Sequence, residues 1–294
     1  MTQTDFTLIN AQTKALAFKI FAFEDDAYFN QVKNYNYYSM VLVMEGKGML
    51  RADFSEYLLE ADCLACFSVY QPFMIKAGNE FKGILINFHP DFFCIHKHQQ
   101  EVACNGVLFN NIYKSPVVKL SPAGLQVLVN IVNELKAEMQ NAALAQYELL
   151  ISYLKIFLIN ASRIKLDKNQ TAVPAGKQEP LILQTLKDAI EAHYKTKHSA
   201  GEYAGLLNIS TRALNRISKV HFNKTITNLI AERIVIEAKR ELYLTAKPVK
   251  MIAYELGFND EFYFSRFFKG NADVSPQRYR DTVGFSRGEP VTGV

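Results

Sequence analysis

Between residues 181 and 283 the chain reads as one helical stretch after another, most of them too short to be stable alone. Isolated helices below about 12–15 residues are marginal in water, so these pieces must share compact cores. Residues 181–193 read as a first helix and 202–207 as a short second one. Asn208, Ile209 and Ser210 make a tight break that ends in a cap for a helix over 211–220. Two short helices joined by a turn of three or four residues form a helix-turn-helix unit. The pattern returns after Pro248, where 249–257 is a short helix closed by Gly257, 258–260 is the turn with Asp260 as cap, and 261–269 is the second helix. An amphipathic helix over 227–244, with Ile234, Ala238 and Leu242 on one side, separates the two units.

The second helix of such a unit enters the major groove, so its outward side chains carry recognition. With Leu214 and Ile217 turned inward, Arg212, Asn215, Arg216 and Lys219 face out. With Phe258, Phe264 and Phe268 as core positions, Phe262, Ser265, Arg266 and Lys269 do the same. Arginine can read guanine, asparagine adenine and an apolar ring the thymine methyl, while lysine and arginine hold phosphates. A solvated polar face would explain one such helix equally well; its recurrence favours double-stranded DNA. Charge agrees: up to residue 170 there are 15 Lys and Arg against 16 Asp and Glu, and after it 18 against 13, a change from −1 to +5. Units about 34 Å apart would reach successive major grooves, which implies a site of about two helical turns.

The residues in this region also carry a family resemblance. Arg233, Ala238 and Leu242, then Ile252, Ala253, Gly257 and Phe258, then Tyr263, Phe264, Ser265, Arg266, Phe268 and Lys269, then Ser275, Pro276, Tyr279 and Arg280 closely resemble the AraC/XylS signature in order and spacing. Ile209, Ser210, Leu214, Arg216 and Lys219 resemble it in the first unit. Ser218 stands where the family usually has Phe, and Asn223 and Asp273 where it usually has Gly. The resemblance implies that Thr211, Arg212, Asn215 and Arg216 enter one groove and Glu261, Phe262 and Arg266 the other. Residues 44–48 and 82–90 resemble the cupin-type sensor barrel of many such regulators. A whole-chain match would imply a one-component switch with a small-molecule effector, and RNA polymerase as a further partner.

Ahead of this region, residues 6–118 read mostly as short strands. Residues 37–44 are aromatic and β-branched, Glu45, Gly46, Lys47 and Gly48 have turn chemistry, and the chain returns from Met49, a hairpin signal. Further strands fit 57–59, 64–70 and 81–88, which suggests a sandwich or barrel. Ser121 and Pro122 open a helix carrying Leu125, Leu128, Val132, Leu135 and Met139 at steps of three and four. After Asn141 a second helix carries Leu144, Tyr147, Ile151, Leu154 and Leu158. The two narrow stripes are of the coiled-coil kind and point to a homodimer, or else only cover the barrel. Residues 165–180 are polar, with two prolines and a glycine, and read as a linker.

The expected fold class is therefore α+β: a cupin-like β-barrel over 1–120, a helical hairpin over 121–164, the linker, an all-α domain over 181–283 with two helix-turn-helix units, and a tail over 284–294. The chain has no run of about 18 uncharged apolar residues and no secretory leader pattern at its start, so a soluble cytoplasmic protein with no membrane contact is expected. An enzyme is not expected, nor a cofactor or metal. A cupin metal site would need histidines converging on inward strand positions, yet 37–88 contain none, and His89, His96 and His98 with Asp91 follow the last strand. Cys63, Cys66, Cys94 and Cys104 include only one close pair, whereas four-cysteine zinc sites have two, so they read as buried small hydrophobes rather than a zinc or redox sensor.

Overall fold

A computed structural model describes residues 5–10, 13–53, 55–78, 80–102, 104–140, 143–171 and 180–283. The chain divides into two compact units, one of residues 1–52, 56–111 and 115–172, the other of 173–294 with the short segments 53–55 and 112–114. Among the described residues, no helix is long and apolar enough to cross a membrane. The expected tail and most of the second half of the linker lie outside the described residues.

The first unit is built on strands β1 (Phe6–Ile9), β2 (Leu16–Phe23), β3 (Tyr38–Glu45), β4 (Lys47–Ala52), β5 (Ser55–Glu60), β6 (Cys63–Phe67), β7 (Phe73–Ala77), β8 (Lys82–Phe88) and β9 (Val117–Lys119). They form a six-stranded sheet in the order β1-β2-β8-β3-β6-β9 and a three-stranded sheet in the order β5-β4-β7. The expected cupin-like barrel takes the form of two open sheets that share one core. Phe21, Val41, Ala65 and Leu85 from the large sheet share one core with Leu50, Leu59, Phe73 and Ile75 from the small one. The large sheet is buried on its other face too, where Phe18 stacks on Phe92 at 5.1 Å and Tyr38 on Phe88 at 4.9 Å. Burial on both faces explains why β3 and β8 are continuous apolar runs instead of alternating ones.

The hairpin expected at residues 45–48 does not form. β3 belongs to the large sheet and β4 to the small one, so the chain crosses between sheets there. Gly46 is required all the same: its φ is +91°, and a Cβ would lie 1.8 Å from the Glu80 carbonyl oxygen. The strand expected over 64–70 ends at Phe67, with Tyr70 in a left-handed turn at φ 51°.

Helix α1 (Gln99–Val102) precedes the helical hairpin of α2 (Pro122–Gln140) and α3 (Gln146–Thr171). The Ser121 hydroxyl accepts the Gly124 N–H at 3.1 Å, with Pro122 in the first turn, as expected from the sequence. Leu128, Val132 and Leu135 on α2 and Leu154 and Leu158 on α3 are fully buried within the unit. Leu125 and Ile151 are half-buried, Tyr147 is exposed, and Leu144 stands fully exposed just before α3. Residues 165–171, expected as the start of the linker, instead continue α3. Lys165 holds this end in place, its buried ammonium donating to the Ser115 carbonyl at 3.0 Å.

The four cysteines are buried and form no disulfide. Cys63 faces the core between the sheets and Cys66 the opposite face, where burial pushes its thiol up to about 12. His89 is buried, and its Nδ1 accepts the Asp91 backbone N–H at 3.1 Å. Among the described residues no group of three His, Cys, Asp or Glu side chains gathers as a metal site.

Candidate nucleic-acid interface

The second unit comprises α4 (Leu181–His193), α5 (Ala200–Leu206), α6 (Thr211–Phe222), α7 (Ile226–Leu244), α8 (Val249–Glu255), α9 (Glu261–Ala272) and α10 (Pro276–Val283). Local chemistry sets each boundary. Ser199 and Glu202 form a reciprocal capping box at α5, Ser210 accepts the Ala213 N–H at α6, Thr225 the Asn228 N–H at α7 and Asp260 the Tyr263 N–H at α9. Asn208 and Gly257 occupy the left-handed position that ends α5 and α8, at φ 53° and 81°.

Helix α6 and the turn after it recur fifty positions later in α9. Leu214, Ser218 and Phe222 are the buried row of α6, and Phe264, Phe268 and Ala272 that of α9. Ile217, expected inward, is only half-buried, and Ser218 takes the inner place with its hydroxyl donating to the Lys224 carbonyl at 2.7 Å. Asn223 and Asp273 cap the two helices in the left-handed conformation, at φ 57° and 63°. That conformation accounts for the glycine usual at both positions in the resembling family. Asp273 also places a negative charge at a helix C-terminus, where the macrodipole disfavours it. Asp273→Gly is therefore expected to stabilise the protein by about 1 kcal/mol, measured as a higher denaturation midpoint at unchanged slope. An unchanged midpoint would mean that the aspartate carries no strain.

The outer faces repeat as well. Arg216 and Lys219 on α6 have Arg266 and Lys269 as their counterparts on α9, and all four are exposed, as is Arg212. Among the described residues none of these five cations has an anionic partner. Several cations on α7 and in the turn after it are paired instead: Arg233 with Glu191 at 2.8 Å, Arg240 with Glu237 at 2.8 Å, and Lys247 with Glu241 and Glu255 at 2.9 and 2.7 Å. A row of unneutralised charges along two solvent-facing helices is unfavourable for the protein alone and favourable against a polyanion. An open concavity of about 550 Å³ lies along α6, lined by Ser210, Arg212, Ala213, Asn215, Arg216, Lys219 and Val220.

Three expected site residues sit differently from these. Asn215 has both ends of its amide engaged: Oδ1 accepts the Ile226 N–H at the start of α7 at 3.2 Å, and Nδ2 donates to the Thr211 carbonyl at 3.2 Å. It fixes α6 against α7 instead of offering a free amide to a base. Glu261 is half-buried in the first turn of α9, where its charge suits the helix N-terminus. Thr211 is exposed at the first position of α6, its carbonyl held by Asn215.

Phe262 is 67% exposed and its neighbour Tyr263 58%, so two aromatic rings stand in solvent at the start of α9. Sequence reasoning named Phe262 and missed Tyr263. The signal was present, since Tyr263 directly precedes the core residue Phe264 and so cannot share its inward direction.

Polar contacts tie α7 to α4 and to the residue that follows it. Arg233 on α7 lies 3.9 Å above the Tyr194 ring, pairs with Glu191 of α4 at 2.8 Å and with Glu237 at 3.1 Å. Burial alone would raise the Glu237 carboxyl, but Arg233 and Arg240 hold it below the usual range. The second turn packs against the connection between α4 and α5: the Phe258 ring lies 4.9 Å from His198, and a Cβ on Gly257 would fall 2.0 Å from the Lys195 carbonyl oxygen.

Comparison with known proteins finds likeness to a helix-turn-helix family and to several regulatory proteins. A family model described as a helix-turn-helix domain matches residues 203–282. The raffinose operon transcriptional regulatory protein RafR of Pediococcus pentosaceus is 28% identical over 138 residues, 47% of this chain and 46% of that protein. The chain thus spans about half the length of that relative. The regulatory protein SoxS of Salmonella typhimurium is 30% identical over 99 residues, 34% of this chain and 92% of that protein. A crystal structure of ToxT from Vibrio cholerae aligns over 96% of this chain and 97% of its own, at 16% identity and a TM-score of 0.41.

Proposed function

The chain belongs to the AraC/XylS family of transcription regulators, and on that premise we propose that it recognises a DNA sequence of about two helical turns through α6 and α9 and regulates transcription from it. The observation that carries this reading is the repetition, at the same spacing as the buried cores, of exposed and unpaired Arg216 and Lys219 as Arg266 and Lys269. Selection of bound fragments from the source genome by the purified chain, at stated salt, tests it. Enrichment of fragments sharing a motif of two half-sites supports the reading; sequence-blind retention that vanishes at physiological salt contradicts it.

The same reading makes the protein a cytoplasmic homodimer that responds to a small-molecule effector through its first unit and acts with RNA polymerase. The stripe first expected to dimerise is unsuited: Leu128, Val132, Leu135, Leu154 and Leu158 are already buried in their own protomer, each worth about 1.5–3 kcal/mol to its fold. The exposed apolar side chains of the hairpin, Val127 on α2 and, two turns apart on one face of α3, Leu149 and Ile156, are the better candidates. Ile156→Asp is expected to give a folded protein of single-chain mass by light scattering, whereas Leu154→Asp would unfold the unit. A persistent dimer with Ile156→Asp would place the interface elsewhere.

A further inference from the structure

A polar row crosses the face of the large sheet that looks toward the small one. Thr7 on β1 is in register with Lys19 on β2, Lys19 with Asn87 on β8, Asn87 with Ser39 on β3, and Ser39 with Phe67 on β6. The next row along the same face, Phe21, Leu85, Val41 and Ala65, belongs wholly to the apolar core. Asn87 is 0% exposed, and among the described residues neither its amide nitrogen nor its amide oxygen has a hydrogen-bond partner; the buried Ser39 hydroxyl beside it has none there either. A buried amide and hydroxyl left unmatched are costly, and a strand of otherwise apolar residues has no packing reason to carry them. Lys19 adds no free charge, because it pairs with Asp5 at 3.0 Å.

Aromatic rings surround this end of the sandwich. Phe67, next to Ser39, stacks on Phe73 across the two sheets at 3.9 Å. Tyr28 packs on Phe21 at 4.8 Å, and Tyr35 on Tyr37 at 4.6 Å. These three tyrosines are half-buried, and the Tyr35 hydroxyl donates to that of Tyr28 at 2.8 Å. The row therefore combines flat apolar walls, an amide offering both donors and an acceptor, and a hydroxyl.

We propose that Asn87 and Ser39 form the polar end of a binding site between the sheets for a small uncharged ligand that carries a hydrogen-bond donor and acceptor side by side on a flat apolar body. This rests on the reading that the first unit responds to an effector, and it specifies the chemistry of that effector. Lys19 is neutralised by Asp5, and Lys33 stands over the Tyr28 ring at 4.8 Å. The groups of the row that meet the ligand are therefore a neutral amide and a hydroxyl, which match an uncharged polar group and reject a wholly apolar molecule because their own groups would stay unmatched.

The test uses the full chain and three ring compounds of similar size: benzamide, benzoate and toluene. Benzamide at saturating concentration is expected to raise the melting temperature of the wild type by about 2–4 °C, while benzoate and toluene leave it unchanged. Asn87→Leu is expected to melt higher than the wild type without ligand, to lose the benzamide shift and to keep DNA binding. The milder Ser39→Ala should reduce the shift and serves if Asn87→Leu does not fold. Absence of a benzamide shift in the wild type, an equal shift with benzoate, or a shift that survives both substitutions overturns the proposal. A lower melting temperature for Asn87→Leu also overturns it, since the amide would then be satisfied within the fold. Loss of selective DNA binding by the wild type would instead count against the regulator reading.

Discussion

Gly257→Ala is expected to destabilise the second unit by about 3 kcal/mol or more, against a gain of about 0.5–1 kcal/mol for Gly270→Ala. Gly257 sits at φ +81°, and a Cβ there would lie 2.0 Å from the Lys195 carbonyl oxygen, a backbone atom that no rotamer change can move aside. Gly270 lies within α9, where a Cβ would meet nothing within 4 Å and alanine improves helix propensity. The same chemical change should thus act with opposite sign thirteen positions apart. Denaturant unfolding of the two variants checks this, and a Gly257→Ala midpoint equal to the wild type would mean that Gly257 is not pressed against the connection between α4 and α5. Because Gly257 and Phe258 press against Lys195 and His198, the variant should also lose DNA affinity with no contact residue altered.

Arg266→Ala is expected to weaken specific DNA binding by about 1–3 kcal/mol while leaving stability unchanged, and Arg216→Ala should behave alike. Each guanidinium is exposed and unpaired, so its removal leaves no partner stranded in the free protein. Lys219→Ala and Lys269→Ala should instead weaken binding evenly across sequences and flatten the salt dependence, as phosphate contacts do. Asn215→Ala gives a contrasting pattern: its side chain accepts the first N–H of α7, so affinity and stability should fall together. Parallel binding and unfolding measurements separate the classes. Equal affinity for Arg266→Ala and wild type would remove α9 from the reading surface.

What was legible in the sequence follows the range of the interactions involved. The second unit could be read almost residue by residue because its boundaries are set by neighbours: Ser210 and Asp260 cap helices three residues away, and Gly257 ends one. Phe258, Phe264 and Phe268 fell into the core as their spacing required. The first unit resisted because its order is non-local. Gly46 announces a sharp conformation, but the backbone it fits against, at Glu80, lies far along the sequence. β2 was missed since Lys19 interrupts its apolar run and the turn before it is marked by Asn10 without a glycine or proline. Much of the apolar stripe of the helical hairpin is buried in its own protomer while Leu144 and Tyr147 are exposed, because periodicity does not say whether the partner of an apolar face is the same chain or another.

The candidate site divides the same way. Outward cations on α6 and α9 follow from helix geometry once the core row is known, whereas the Asn215 cap on α7 does not, because an exposed-looking asparagine carries no local mark of a backbone partner eleven residues on. Ser218 shows a further limit: replacing a usual phenylalanine by a buried serine works only because Lys224 presents its carbonyl to the hydroxyl. Nor does the sequence of β8 distinguish Asn87 from a loop-facing residue, since only the register with Lys19 and Ser39 buries it.

The central claim is that one protomer reads DNA with two helices at once. Hydroxyl-radical footprinting of the wild-type chain on its most enriched genomic fragment tests it most directly. Per protomer, the account predicts two protected patches on one face of the duplex, centred about one helical turn apart, with Arg266→Ala opening one patch and Arg216→Ala the other. A single patch per protomer, or two patches that respond identically to both substitutions, would contradict it.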